Sequence, residues 1–160
     1  NPAVTLAFAL RREIAPSIAV IYVLVQVAAG AAGVLAAHFM FEQPLLQVSE
    51  TARNGAGQWF SEFVATFGLV ATILGTLRYR PEAVPYAVGL FISAGYWFTA
   101  STSFANPAVT LARGFTNTFS GILPGDAPAF IVVELIGAVA ATLVFGWLGA
   151  TDKRPDKAGA

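Results

Sequence analysis

Seven residues occur twice in this chain without a single change: Asn1-Pro2-Ala3-Val4-Thr5-Leu6-Ala7 and Asn106-Pro107-Ala108-Val109-Thr110-Leu111-Ala112. Chance does not repeat an identical heptamer in 160 residues, so the chain carries an internal duplication. The repeated words also have physical content. Asn caps a helix start, because its side-chain oxygen accepts from orphan backbone N–H groups of the first turn. Pro fits the first helical position, where no amide hydrogen is needed. Each copy therefore predicts the start of a helix.

Both starts sit in membrane-like sequence. The chain is 56% hydrophobic and 11% charged, against roughly 25% charged in soluble domains. Four segments are long and apolar enough to span a bilayer, which takes about 20 residues: 16–41, 59–77, 84–100 and 129–148. The first carries a stripe of small residues (Ala28, Ala29, Gly30, Ala32, Gly33 and Ala36) of the kind that lets membrane helices approach closely. Zero net charge and the lack of a basic run argue against nucleic acid. Cys is absent, and no nucleophile–base pair, metal-ligand cluster or phosphate loop is present. An enzyme, a cofactor or a metal site is therefore not expected.

The motif segments are too short to span. From Pro2 to Arg11 a helix covers about 15 Å at ~1.5 Å per residue, half of a hydrocarbon core near ~30 Å. Arg11 and Arg12 then mark a polar interface, so residues 1–12 predict one half-helix. The second, over 106–118, ends before Gly121, Pro124 and Gly125. Non-helical backbone at mid-membrane depth survives only when buried or lining a watery cavity.

Charge sets the topology. Arg11 and Arg12, Arg78 and Arg80, and Lys153, Arg154 and Lys157 all fall on one side when the four spans are threaded, while the 42–57 connection holds two acids and Arg53. The positive-inside rule makes that side cytoplasmic, with the tail at 150–160. Three spans separate Asn1 from Asn106, and three is odd. The half-helices therefore enter from opposite faces and point their N-termini at each other: an inverted repeat. Gln26, 25 residues after Asn1, and Glu134, 28 after Asn106, occupy matching places in the following spans. The span that would match the one holding Glu62 would lie upstream of Asn1, and the chain opens on a motif rather than Met, so it is expected to be an N-terminally truncated fragment.

Two Asn-Pro-Ala half-helices with these intervening spans resemble the aquaporin/glycerol-facilitator (major intrinsic protein) family. The resemblance covers the whole chain, from the first motif through the third to sixth helices of the family fold. The stretch from Tyr96 to Ala112 is most similar to bacterial members associated with arsenic resistance operons. The resemblance implies an all-α membrane protein with four transmembrane helices here plus two re-entrant half-helices, the family's first two helices being absent. It also implies a homotetramer in a bacterial inner membrane.

Residue roles follow from the match. Asn1, Pro2 and Ala3 with Asn106, Pro107 and Ala108 would form the central constriction, each Asn offering its amide NH₂ to a passing oxygen. Opposed half-helix dipoles exclude protons and cations in aquaporin-type pores. Glu62 resembles the family's buried Glu that holds the re-entrant loop before the second motif, through backbone N–H groups or hydroxyls near Thr102 and Ser103; a proton relay is the sharper alternative. Gln26 and Glu134 would buttress the half-helices. His38, at the outer end of a span, reads as an interfacial polar residue rather than a metal ligand.

Val109 departs from the pattern. Most members carry Arg there, narrowing and charging the outer filter; Val offers neither charge nor donor. By position Ser103 and Ala94 or Gly95 complete the filter present in this chain, and all are small. Arg113 lies one turn beyond Val109 on the same face. It either reaches back toward the constriction or snorkels to the outer interface. The expected function is a passive channel for small uncharged solutes: water, glycerol-sized polyols and neutral metalloid hydroxides such as arsenous acid. Its partners would be those solutes, membrane lipid and its own copies. A non-conducting membrane subunit is the alternative. A secondary transporter, which also uses inverted repeats, ranks third for want of a coupling-ion site.

Overall fold

A computed structural model gives the protein's structure over residues 1–151. The expected tail at 150–160 begins at the end of the last helix and otherwise lies outside those residues. Six α-helices are described: α1 Pro2–Leu10, α2 Pro16–Met40, α3 Ala56–Tyr79, α4 Val84–Phe98, α5 Pro107–Arg113 and α6 Ala127–Thr151. No strand occurs among the described residues. The protein is an all-α membrane protein over the described residues.

Three helices (α2, α3 and the 127–149 part of α6) are long and apolar enough to cross a membrane. The fourth expected span is shorter as a helix. α4 has 15 residues, about 22 Å at ~1.5 Å per residue, and a 3₁₀ turn at Pro81–Ala83 precedes it. Two prolines, Pro81 and Pro85, shape that start.

α3 and α6 form the spine. Gly137 of α6 permits it: a Cβ there would come within 2.7 Å of the Phe63 carbonyl and 3.1 Å of the Phe67 amide. Beside this seam Ala3 and Ala7 of α1 pack with Val70, Leu74, Ala138 and Ala141. α2 is the least embedded span, and His38 is its one buried residue. Gly30 alone of its small stripe packs closely, with a virtual Cβ 3.3 Å from both the Ala108 carbonyl and the Ala112 methyl. Ala28, Ala29, Ala32, Gly33 and Ala36 are exposed, so most of the stripe does not serve the packing expected of it within this chain.

The two half-helices start together and leave in opposite directions. α1 ends in a Schellman cap: Arg12 at φ 61° donates to Ala9 and Glu13 donates to Phe8. There Arg11 and Arg78 share one recess with Glu13, Phe145 and Gly149. α5 instead ends beside the C-terminal end of α2, where Thr116 meets His38. It stops at Arg113 rather than continuing to 118, because the chain outside the helix takes its last carbonyls. Arg113 O accepts from Ile122 N (3.2 Å) and Gly114 O from Ser49 N (2.9 Å).

Candidate functional site

Each motif builds its own cap. Asn1 Oδ1 accepts from Ala3 N at 3.0 Å. Asn106 Oδ1 accepts from Ala108 N at 3.0 Å and Val109 N at 3.3 Å. The amide nitrogen of Asn1 donates to Ala105 O at 2.7 Å, which ties the first cap to the residue preceding the second. Asn106 Nδ2 has no partner among the described residues.

Both Asn residues line a cavity of about 590 Å³. Its wall includes Val4, Thr5 and Phe8 of α1, Tyr22 and Gln26 of α2, and Leu69 and Ile73 of α3. Val88, Ile92 and Tyr96 come from α4, Ser103 and Phe104 from the loop, and Val109 and Arg113 from α5. The helical period explains the α4 set, in which 88, 92 and 96 repeat every four residues. The remaining motif residues do not join this wall. Pro2, Ala3, Pro107 and Ala108 are buried, and both prolines face a separate apolar groove. Of each Asn-Pro-Ala, only Asn reaches the cavity.

Buried side chains hold the motif backbone. Thr102, Ser103 and Ala105 all have positive φ (67°, 51° and 47°), a left-handed conformation that costs roughly 1–2 kcal/mol per non-Gly residue. Glu62, fully buried, offsets this: its two carboxylate oxygens accept from Phe104 N (2.8 Å) and Ala105 N (2.7 Å). Glu134 Oε1 accepts from Thr110 Oγ1 (2.7 Å) and Asn106 N (3.2 Å). The first repeat mirrors that link, with Gln26 Nε2 donating to Thr5 Oγ1 at 3.0 Å and Thr5 donating to Asn1 O at 3.1 Å. Thr5 and Thr110 are the same letter of the heptamer, so the duplication extends to its supports.

Of the expected filter set, Val109 and Ser103 line the cavity. Ser103 is 2% exposed and its Oγ has no hydrogen-bond partner. Gly95 is buried behind it, where a Cβ would sit 2.6 Å from Ser103 Oγ. Ala94 is exposed and off the cavity; one residue earlier on the helix, it turns about 100° away. Arg113 also lines the cavity. It is half-buried, with its guanidinium carbon 4.2 Å from the Phe104 ring centroid.

The Major intrinsic protein family model matches residues 1–83. The chain belongs to the major intrinsic protein family. It is also 58% identical to the "Aquaglyceroporin AqpS" of Rhizobium meliloti (strain 1021) over 148 residues, 92% of this chain. The chain spans 64% of that relative's length. No solved structure matches.

Membership in the major intrinsic protein family does not single out every residue that shapes this site. Arg53 is the single cation of the 42–57 connection. It is 7% exposed and clamps the loops that precede and follow α5 to its own loop, donating to Gly121 O (2.6 Å), Phe119 O (2.9 Å) and Ser101 O (3.1 Å). Its guanidinium lies 5.1 Å from the Phe104 ring centroid, so two arginines share one ring. A lone Arg among acids and Gly/Pro turns was the available signal; its carbonyl partners lie 48 to 68 residues away. His38 corrects an expectation too. It is buried, at 3% exposure, with Nδ1 3.0 Å from Leu45 O and Nε2 2.9 Å from Thr116 Oγ1. A carbonyl only accepts, so a neutral His38 carries its proton on Nδ1 and takes the Thr116 hydroxyl on Nε2. No group of three or more metal-ligating side chains occurs among the described residues.

Proposed function

We propose that the protein is part of a passive transmembrane channel for small uncharged solutes, with a filter broader than that of a strict water pore. The observation that carries this reading is the meeting of two Asn-capped half-helix N-termini at the wall of one cavity. Facing N-termini gather partial positive charge, which repels cations and protons. An oxygen accepting from the Asn amides is turned there, which interrupts a continuous proton wire. Val109 leaves the outer constriction without the family's usual Arg, so glycerol-sized polyols and neutral metalloid hydroxides such as arsenous acid fit the cargo class. The name of the Rhizobium relative agrees with a polyol-conducting channel.

The same reading sets the channel in a bacterial inner membrane as a homotetramer, with Arg11, Arg78 and the C-terminal tail on the cytoplasmic side. Stopped-flow light scattering on vesicles holding the complete protein tests it. Glycerol influx well above that of empty vesicles is expected. Water conductance without glycerol influx would sink the broad filter.

A further inference from the structure

Arg113 presents five N–H donors, yet among the described residues its guanidinium makes no hydrogen bond or ion pair. The side chain is nevertheless fixed. It lies on the Phe104 ring, which is held edge-on by Phe130 at 5.4 Å and covered by the carbonyl-clamped Arg53 at 5.1 Å. Ser103, in the same cavity wall, carries a second unspent polar group: its hydroxyl has no partner and its oxygen is buried against Gly95. A half-buried cation and a buried hydroxyl left open are costly unless whatever occupies the cavity satisfies them.

We propose that Arg113, one helical turn beyond Val109, and Ser103 form a solute-binding step specific for small solutes carrying two neighbouring oxygens. The planar fork of Arg grips two adjacent acceptors at once, which a point charge does not. Vicinal diols and hydroxides with several oxygens on one centre meet that geometry; a lone water meets half of it. The charged donor missing at Val109 is thereby supplied from one turn further out, where it selects without narrowing the constriction. Arg53 is a positioning residue for this step: it lines no part of the cavity and acts through the Phe104 ring.

The inference rests on the channel reading, and one set of vesicle measurements separates the two. Glycerol flux is followed over a concentration series, beside water flux, for the parent and for R113A, R113K, S103A and R53K. The parent is expected to saturate. In R113A the half-saturating glycerol concentration should rise about tenfold, the loss of one charge-assisted contact, while water flux, which uses only half of that geometry, changes less. R113K, keeping charge but not the fork, should recover only part of that. S103A is a small, non-disruptive change and should give about a threefold rise, as for a weaker neutral contact. R53K should raise the half-saturating concentration although it removes nothing from the cavity. A parent that conducts glycerol, with R113A and S103A half-saturating within twofold of it, overturns the binding step and leaves the channel standing. A parent that conducts neither water nor glycerol removes both.

Discussion

The side-chain amide of Asn1 donates to the carbonyl of Ala105 at 2.7 Å, one residue before the second motif's Asn. The two copies of the heptamer are therefore joined directly, and the caps of α1 and α5 cannot shift independently. One amide hydrogen of Asn1 is spent on this bond and one remains. Asn106 keeps both.

That asymmetry makes Asn106 the more informative residue to change. In Asn106→Asp the oxygen that caps Ala108 and Val109 is preserved, so helix α5 should form as before, Asp being as good a cap as Asn. Two donors are lost and a negative charge faces the cavity. Cation leak through reconstituted vesicles should rise about tenfold or more, since a barrier change of ~1.4 kcal/mol suffices. Unchanged leak with an intact fold would mean that the Asn donors and the local positive field do not set ion exclusion.

Glu62→Gln should damage the loop that carries the second motif. The carboxylate accepts from two adjacent amides, and an amide side chain has only one accepting atom, so its NH₂ would confront a second donor. Losing one buried charge-assisted bond and leaving an N–H unpaired costs about 3 kcal/mol, against three left-handed residues that need support. A marked drop in the thermal midpoint of the solubilised protein is expected, with reduced solute flux. A midpoint and flux equal to the parent's would show that the loop holds its shape without the charge.

The heptamer, the apolar spans and the odd number of spans between the copies made the inverted arrangement legible, because each is a local or counting property. Gln26 and Glu134 were legible as a pair for the same reason: the repeat places them at matching distances. Long-range hydrogen bonds were not. Arg53 meets carbonyls in the 101–121 stretch, and nothing in its neighbourhood encodes which ones. α5 is shorter than its sequence predicts because Ile122 and Ser49, both distant or beyond a turn, take the carbonyls that would have prolonged it. Spacing also left Ala94 and Gly95 undecided, and only the rotation of α4 separates them.

Gly95 is held to glycine by Ser103. A methyl placed there would come within 2.6 Å of the hydroxyl and 3.0 Å of its Cβ. Gly95→Ala should therefore push Ser103 toward the cavity, lowering solute flux and costing about 1–3 kcal/mol as an overpacked contact does. The double variant Gly95→Ala, Ser103→Gly should recover the stability and the flux at saturating solute, since residues in direct contact couple, while keeping the raised half-saturation that loss of the Ser103 hydroxyl brings. Additive losses in the double variant would place the effect of position 95 elsewhere.

Val109→Arg tests whether position 109 governs cargo size. The residue lines the cavity beside Asn106, so a guanidinium there would fill space now open and add a donor to the wall. It would also stand one turn from Arg113 on the same face, where like charges repel, and that repulsion would drive one of the two side chains into the lumen. Glycerol flux should fall about tenfold or more, a discrimination of ~1.4 kcal/mol, while water flux falls less because water needs a narrower path. The ratio of the two fluxes in stopped-flow traces is the decisive quantity, since it is insensitive to how much protein inserts. A ratio unchanged from the parent would remove Val109 from the constriction and leave the breadth of the pore to be set by Ser103, Tyr96 and Arg113 alone.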